Sequence, residues 1–237
     1  ESAEICATAA LFADDLDSMG RIVSSWSETL PSHSMMRHLV GVNQLALLTL
    51  YRGSPAEARY SYRPLPSDDD SAGRYTLGWR DWIIGISYLW EGHVDLAARK
   101  LRAGLARAES ECGRRSPIAV MLASALAGAL WDLDQPVEAA ELLANRLDVL
   151  ERGAPPEAIL IGYLSATRLS ALGGNEQRAL DLLSHLHALG EARSLPRLCI
   201  AALAEQMRLH AVHGRGDACT VVERKLDEVA TGLAEHD

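Results

Sequence analysis

The sequence contains a single phenylalanine, and only four cysteines with no Cys-x-x-Cys pair. Strands favour β-branched and aromatic residues, whereas the alanine and leucine that dominate here lose little freedom in a helix. The cysteines, Cys6, Cys112, Cys199 and Cys219, are too far apart for a disulfide framework and read as small buried thiols in a reducing compartment. No long hydrophobic run is present. The longest charge-free apolar stretch, Ser116 to Trp131, falls short of the roughly 20 residues that span a bilayer. Positive charge is also scarce. The formal net charge is −9 and the bases are scattered among the acids, so the basic face that grips phosphates is missing. These absences point to a soluble, cytoplasmic, helical protein with no membrane partner and no direct nucleic-acid contact. The chain begins at Glu1, which reads as a piece of a longer protein.

Catalytic and cofactor signatures are missing as well. There is no Gly-x-x-x-x-Gly-Lys-[Ser/Thr] loop to cradle phosphates, no nucleophile elbow and no His-Glu-x-x-His. His185 and His187 lie two apart and would diverge on a helix. His210 and His213 share a face but have no third ligand at helical spacing, and zinc requires three or four. No metal, no cofactor and no catalytic residue is expected, and the chain reads as a binding protein.

What is present is a repeat. Polar breaks recur at Gly53-Ser54, Gly92-His93, Asp134-Gln135, Gly174-Asn175 and Gly214-Arg215, with a weaker copy at Asp14-Asp15. A glycine just past a helix end accepts the left-handed conformation that closes the last turn. Five residues after each strong break stands a small residue: Ala58, Ala97, Ala139, Ala179 or Cys219. Such residues let the second helix of a hairpin approach the first. Leu101, Leu143 and Leu183, four residues further on, extend the buried stripe. Pro117, Pro156 and Pro196 stand where a first helical turn tolerates a missing N–H.

The spacing predicts helix pairs at 2–13/15–29, 33–51/54–62, 73–91/94–110, 116–133/136–151, 155–172/175–190 and 195–213/216–234. The loop Arg63 to Gly73 cuts the second return helix short. The expected fold is all-α, a right-handed superhelix of about six tetratricopeptide-like hairpins with a period of 39–42 residues, forming a single domain over 1–237. Helical hairpins bury their apolar faces only by stacking on neighbours. The period also suits HEAT-type repeats, but the Gly-x-x-x-x-Ala break favours the tetratricopeptide kind.

The lengthened repeats resemble the solenoid region of large LuxR-type, MalT-related transcription activators. The likeness is carried by Lys100 to Leu143 and by His187 to Arg215, where a Leu-Pro-Arg-Leu helix start follows an Ala-Arg pair. It extends diffusely over residues 75–235, and the first 75 residues fit only as generic hairpins. The resemblance implies a sensing segment that receives a small-molecule effector or a regulatory protein. In that family an N-terminal nucleotide-binding module and a C-terminal helix-turn-helix carry ATP hydrolysis and DNA binding. Neither flank is in this sequence. The competing readings are a tetratricopeptide adaptor for a partner peptide and an enzyme whose site forms only in an oligomer.

Eight of the twelve aromatic residues lie between Tyr51 and Trp90. In tetratricopeptide solenoids the first helix of each hairpin lines the concave groove. Registering the repeats on their breaks places Trp79, Trp82, Ile86 and Trp90 along that face of the third hairpin. Asn43 and Tyr51 join them from the second, and Ser124 and Trp131 from the fourth. Arg168 and Arg208 fall on the same face of the fifth and sixth hairpins, where two guanidinium groups could hold an anion. Indole rings suit sugars and apolar effectors, but the same spacing also serves a core between hairpins. The opposite stripe, with Ile84, Gly85 and Tyr88, is expected to pack on the partner helix, Gly85 against Ala97.

Overall fold

The computed structural model describes residues 2–27, 35–62 and 73–234. Among them the chain is helical throughout, with thirteen helices and no strand. The first three hairpins are α1 (Ser2–Phe12) with α2 (Leu16–Ser27), α3 (Met35–Tyr51) with α4 (Pro55–Tyr60), and α5 (Arg74–Trp90) with α6 (Val94–Cys112). Then follow α7 (Pro117–Asp132), α8 (Pro136–Leu143) and α9 (Leu147–Gly153). The last two hairpins are α10 (Pro156–Leu172) with α11 (Glu176–Arg193) and α12 (Pro196–Val212) with α13 (Gly216–Ala234). The expected helix ends at 29 and 33, and the loop from Arg63 up to residue 72, lie outside the described residues. The chain divides into two compact units, Glu1–Ile159 and Leu160–Asp237.

The repeat is written in the backbone. Asp14, Gly53, Gly92, Asp134, Gly174 and Gly214 all have positive φ, at intervals of 39, 39, 42, 40 and 40 residues. At each one its own N–H donates to the carbonyl three residues back, and the next N–H donates five back. Gly174 N bonds Ala171 O at 3.0 Å and Asn175 N bonds Ser170 O at 2.9 Å. This is the paired closure that satisfies the orphan carbonyls of a helix end. At the first and fifth breaks a side chain then caps the following helix. Asp15 Oδ1 accepts from Ser18 N, and Asn175 Oδ1 accepts from Arg178 N.

The residue five after each break is fully buried in the first five hairpins: Met19, Ala58, Ala97, Ala139 and Ala179. Leu101, Leu143 and Leu183 are buried below them. In the sixth hairpin Cys219 is half-buried. Since a Cβ on Gly174 would meet nothing within 4 Å, only its φ of +75° opposes a side chain. Gly174→Ala is therefore expected to cost about 1 kcal/mol, measured as a lower midpoint of chemical denaturation. An unchanged midpoint would mean that this turn relaxes without strain.

Three departures from the sequence reading have physical causes. The return helix expected over 136–151 is broken into α8 and α9, because Asn145 takes φ 58°, a conformation asparagine tolerates. The break delivers Arg146, 1% exposed, into the interior, where it donates to Glu109 on α6. Gly85, expected against Ala97, has Leu101, one turn further along α6, as its nearest neighbour: a Cβ there would stand 2.3 Å from Leu101 Cδ2. Gly78 against Ile118 and Gly104 against Asp81 are similarly close, so three glycines bring α5, α6 and α7 together. The thiols are free, and only Cys199 is buried, while Cys6 and Cys112 are exposed. Both exposed cysteines sit on outward helix positions that a small residue can occupy without a packing partner.

In the second unit, Ala179, Leu183 and Leu209 form a small core, with Leu164, Ala171 and Leu180 packed against it. Gly190 admits the Cys199 thiol, which would stand 2.6 Å from a Cβ there. Burial pushes that thiol above its ordinary value, and the Glu191 carboxylate adds to the shift.

Candidate functional site

Helices α1, α3 and α5 are the first members of three successive hairpins, and they are joined by polar side chains in an otherwise apolar interface. Asn43 on α3 is 6% exposed. Its amide donates to Thr76 O on α5 at 3.0 Å, and the Tyr62 hydroxyl donates to its Oδ1 at 2.9 Å. Burial raises the Tyr62 phenol well above its ordinary range, so it remains a donor at any physiological pH. Gln44, also 6% exposed, faces α1. Its Nε2 donates to Glu4 O and to Thr8 Oγ1, both at 2.9 Å, while Thr8 donates to Glu4 O. Because the Thr8 proton is committed to a carbonyl, Thr8 Oγ1 must accept, and the orientation of the Gln44 amide is fixed.

Between these helices lies a pocket of about 220 Å³. Leu11 and Phe12 of α1, Val40 and Leu47 of α3 and Trp79 of α5 wall it with apolar surface. Thr8, Asn43 and Gln44 supply its polar edge. A shallower, more open depression adjoins it, sharing Thr8, Phe12 and Val40 and reaching the exposed Ile5.

Of the residues expected on this face, Asn43 and Trp79 line the pocket. Trp79 is half-buried and meets Trp82 edge-on, ring centroids 5.6 Å apart. Trp82 and Ile86, expected beside it on an open stripe, are each 0% exposed. The i, i+3, i+7 spacing does place them on one side of α5, but close approach across the small residues seals that side. Trp82 Nε1 has no acceptor among the described residues. Ser124 is likewise 0% exposed, its hydroxyl returned to Met121 O within α7 at 2.8 Å. Trp90 is 42% exposed and lies 5.7 Å from the half-buried Tyr51, outside the pocket. Trp131 is half-buried and also outside it.

In the second unit the expected pair of arginines converges on a residue the sequence reading missed. Arg168 Nε and Arg208 Nη2 both bond Glu205 Oε1, at 3.2 and 2.7 Å. Glu205, 6% exposed, bonds both guanidinium groups, so one carboxylate offsets half of the charge that was to hold an external anion. Burial works to raise the Glu205 carboxyl, but hydrogen bonds from Arg208 and Arg168 hold it below its ordinary value of 4.5. A depressed folded value contributes stability above pH 4.5 that is lost as pH falls through the folded value. Acid denaturation of this unit is expected to begin below about pH 4.5, and Glu205→Gln should remove part of that dependence. A Glu205→Gln variant with the same pH profile as the parent would count against the pairing.

Gln44 was also missed. Its signal was present: Asn43-Gln44 is a polar pair in the middle of the apolar run LVGVNQLALLTL. Among the described residues no group of three or more His, Cys, Asp or Glu side chains is placed to hold a metal ion, and no helix is long and apolar enough to cross a membrane.

Paired helices, left-handed breaks at a 39–42-residue interval and small residues five positions after five of the six breaks define a tetratricopeptide-like helical-repeat protein. Solved structures agree. The chain is similar to BtubC (BKLC) from P. vanneervenii, with a TM-score of 0.62 at 13% identity, over 99% of this chain and 93% of that one. It is also similar to a putative kinesin light chain of nearly identical TPR-like repeats from Podosopora anserina, with a TM-score of 0.58 at 19% identity, over 85% and 99% of the two chains. A single-substitution form of that protein gives a TM-score of 0.59 at 19% identity, over 86% and 99%. At these identities the likeness is one of fold. No family model matches the chain, and no curated protein does.

Proposed function

We propose that the chain is the sensing segment of a larger LuxR-type transcriptional regulator and receives an effector on the face formed by the first helices of its first three hairpins. The observation that carries this reading is the pocket between α1, α3 and α5, apolar walls with a short polar edge, the usual composition of a small-molecule site. The tetratricopeptide-like fold supports a binding role, and the resemblance of residues 75–235 to the solenoid of MalT-related activators supports the regulatory one. DNA binding and ATP hydrolysis belong, on this reading, to other parts of the regulator. The cytoplasmic location follows from the same reading.

A tetratricopeptide adaptor for a partner peptide is the second reading. It is favoured by the size of the pocket, about 220 Å³, below the roughly 300–1,000 Å³ of most ligand sites and suited to one side chain. The sequence of the parent gene on either side separates the two. A phosphate-binding loop upstream and a helix-turn-helix downstream are expected; if both are missing, the LuxR-type reading falls and the adaptor remains.

A further inference from the structure

The chemistry of the pocket narrows what it takes. We infer that the α1–α3–α5 pocket is a site for an uncharged aromatic ring bearing one hydrogen-bond donor, a phenol or an indole, received by Gln44 Oε1. The inference rests on the reading of this face as the effector site, and it is drawn from three features of the pocket.

The first is charge. None of the ten lining residues is ionic at neutral pH, so an anion or cation entering would shed its hydration without a partner, at a cost far above any gain. The second is shape. Phe12, Tyr75 and Trp79 all line the space, and aromatic rings pack edge-to-face or offset with a further ring. A dry cavity of about 150 Å³ already accepts benzene, so about 220 Å³ accommodates a ring and its polar substituent.

The third is an unanswered acceptor. Gln44 Oε1 is buried and has no hydrogen-bond partner among the described residues. The amide cannot be turned to relieve it, because Nε2 is held by Glu4 O and Thr8 Oγ1. The other polar groups of the edge are occupied: the Asn43 amide donates to Thr76 O, its Oδ1 accepts from Tyr62, and the Thr8 hydroxyl donates to Glu4 O. Gln44 Oε1 is therefore the buried acceptor the pocket leaves open, beside the hydroxyls of Tyr75 and Thr76. A buried acceptor left open is costly in any fold, and a ligand O–H or N–H would satisfy it.

The ring could arrive free or as the side chain of a partner's tyrosine, and the test separates the two. Phenol and anisole, which differ by that one donor, are titrated into the full chain and followed by the Trp79 indole N–H resonance, assigned with Trp79→Phe. A capped tyrosine tripeptide forms a third arm. Phenol is expected to bind at least tenfold more tightly than anisole, and Val40→Phe, which fills the pocket, should abolish the shift. If Val40→Phe fails to fold, Trp79→Ala serves in its place, its binding read by titration calorimetry, with weaker binding expected. Tighter binding of the tripeptide than of phenol assigns the ring to a partner's side chain; tighter binding of phenol assigns it to a free effector. Equal affinity for phenol and anisole, or no shift with any probe, overturns the inference. Neither result bears on the flanking domains, so the regulator reading stands or falls separately.

Discussion

Replacing Trp82 with alanine is expected to lower the unfolding free energy by about 3–5 kcal/mol, the cost of truncating a fully buried tryptophan. The ring is 0% exposed, and the close-packed junction of α5, α6 and α7, where Gly78, Gly85 and Gly104 leave no room for a Cβ, cannot collapse to fill the hole. Trp79→Ala should cost less than half as much, since that ring is half-buried at the pocket wall. Chemical denaturation of both variants checks the contrast. Equal losses would mean that the two rings share one environment, and the distinction between core and pocket would be lost. Trp82→Phe is a useful third variant. It removes an indole N–H that has no acceptor among the described residues, so its cost should be well under that of alanine.

Asp81→Asn is expected to destabilise the same region by about 3 kcal/mol or more, because removing one member of a buried ionic cluster strands the others. Asp81 is 0% exposed and serves three cations. Lys100 Nζ lies 2.8 Å from Oδ1, Arg107 bonds Oδ2, and Arg80 Nε lies 3.6 Å from Oδ1. Lys100 and Arg107 are about a third exposed and would turn to water. Arg80, its side chain 9% exposed, cannot turn to water and would lose the Asp81 charge inside the protein. Salt provides the second readout. A buried cluster is little screened, so the loss should be similar at low and high ionic strength, whereas a loss that vanished in high salt would place the pairing at the surface.

Much of the fold was legible because the repeat repeats its punctuation. Glycine at four of six breaks, and aspartate at the other two, announces a left-handed residue directly, and the small residue five positions on announces a helix crossing. Such signals are local, and each turn closes through its own hydrogen bonds whatever surrounds it. The division of the return helix at Asn145 was not announced. An asparagine in a helical stretch is compatible with either outcome, and what tips it is the burial of Arg146 against Glu109, 37 positions away.

The candidate site was legible only in part, for a related reason. Helical spacing places Trp79, Trp82, Ile86 and Trp90 on one stripe, and it is correct about the stripe. It carries no information on how deeply a neighbouring helix covers each turn. Near Gly78 and Gly85 the neighbours come close enough to bury Trp82 and Ile86; at the helix end Trp90 remains 42% exposed. Likewise, the positions of Arg168 and Arg208 say nothing of Glu205, which lies 37 residues from the first and three from the second and offsets half of their charge.

By itself, then, the sequence determined an all-helical chain of six tetratricopeptide-like hairpins, where the turn within each hairpin falls and which small residues follow it. These depend on backbone conformation and short-range spacing, which a few neighbouring residues settle. The tertiary structure alone decided which aromatic rings are core and which wall a pocket, which charges are paired, and that Gln44 holds an open acceptor. Those outcomes depend on distances between residues that lie tens of positions apart, and packing sets such distances only when the helices meet.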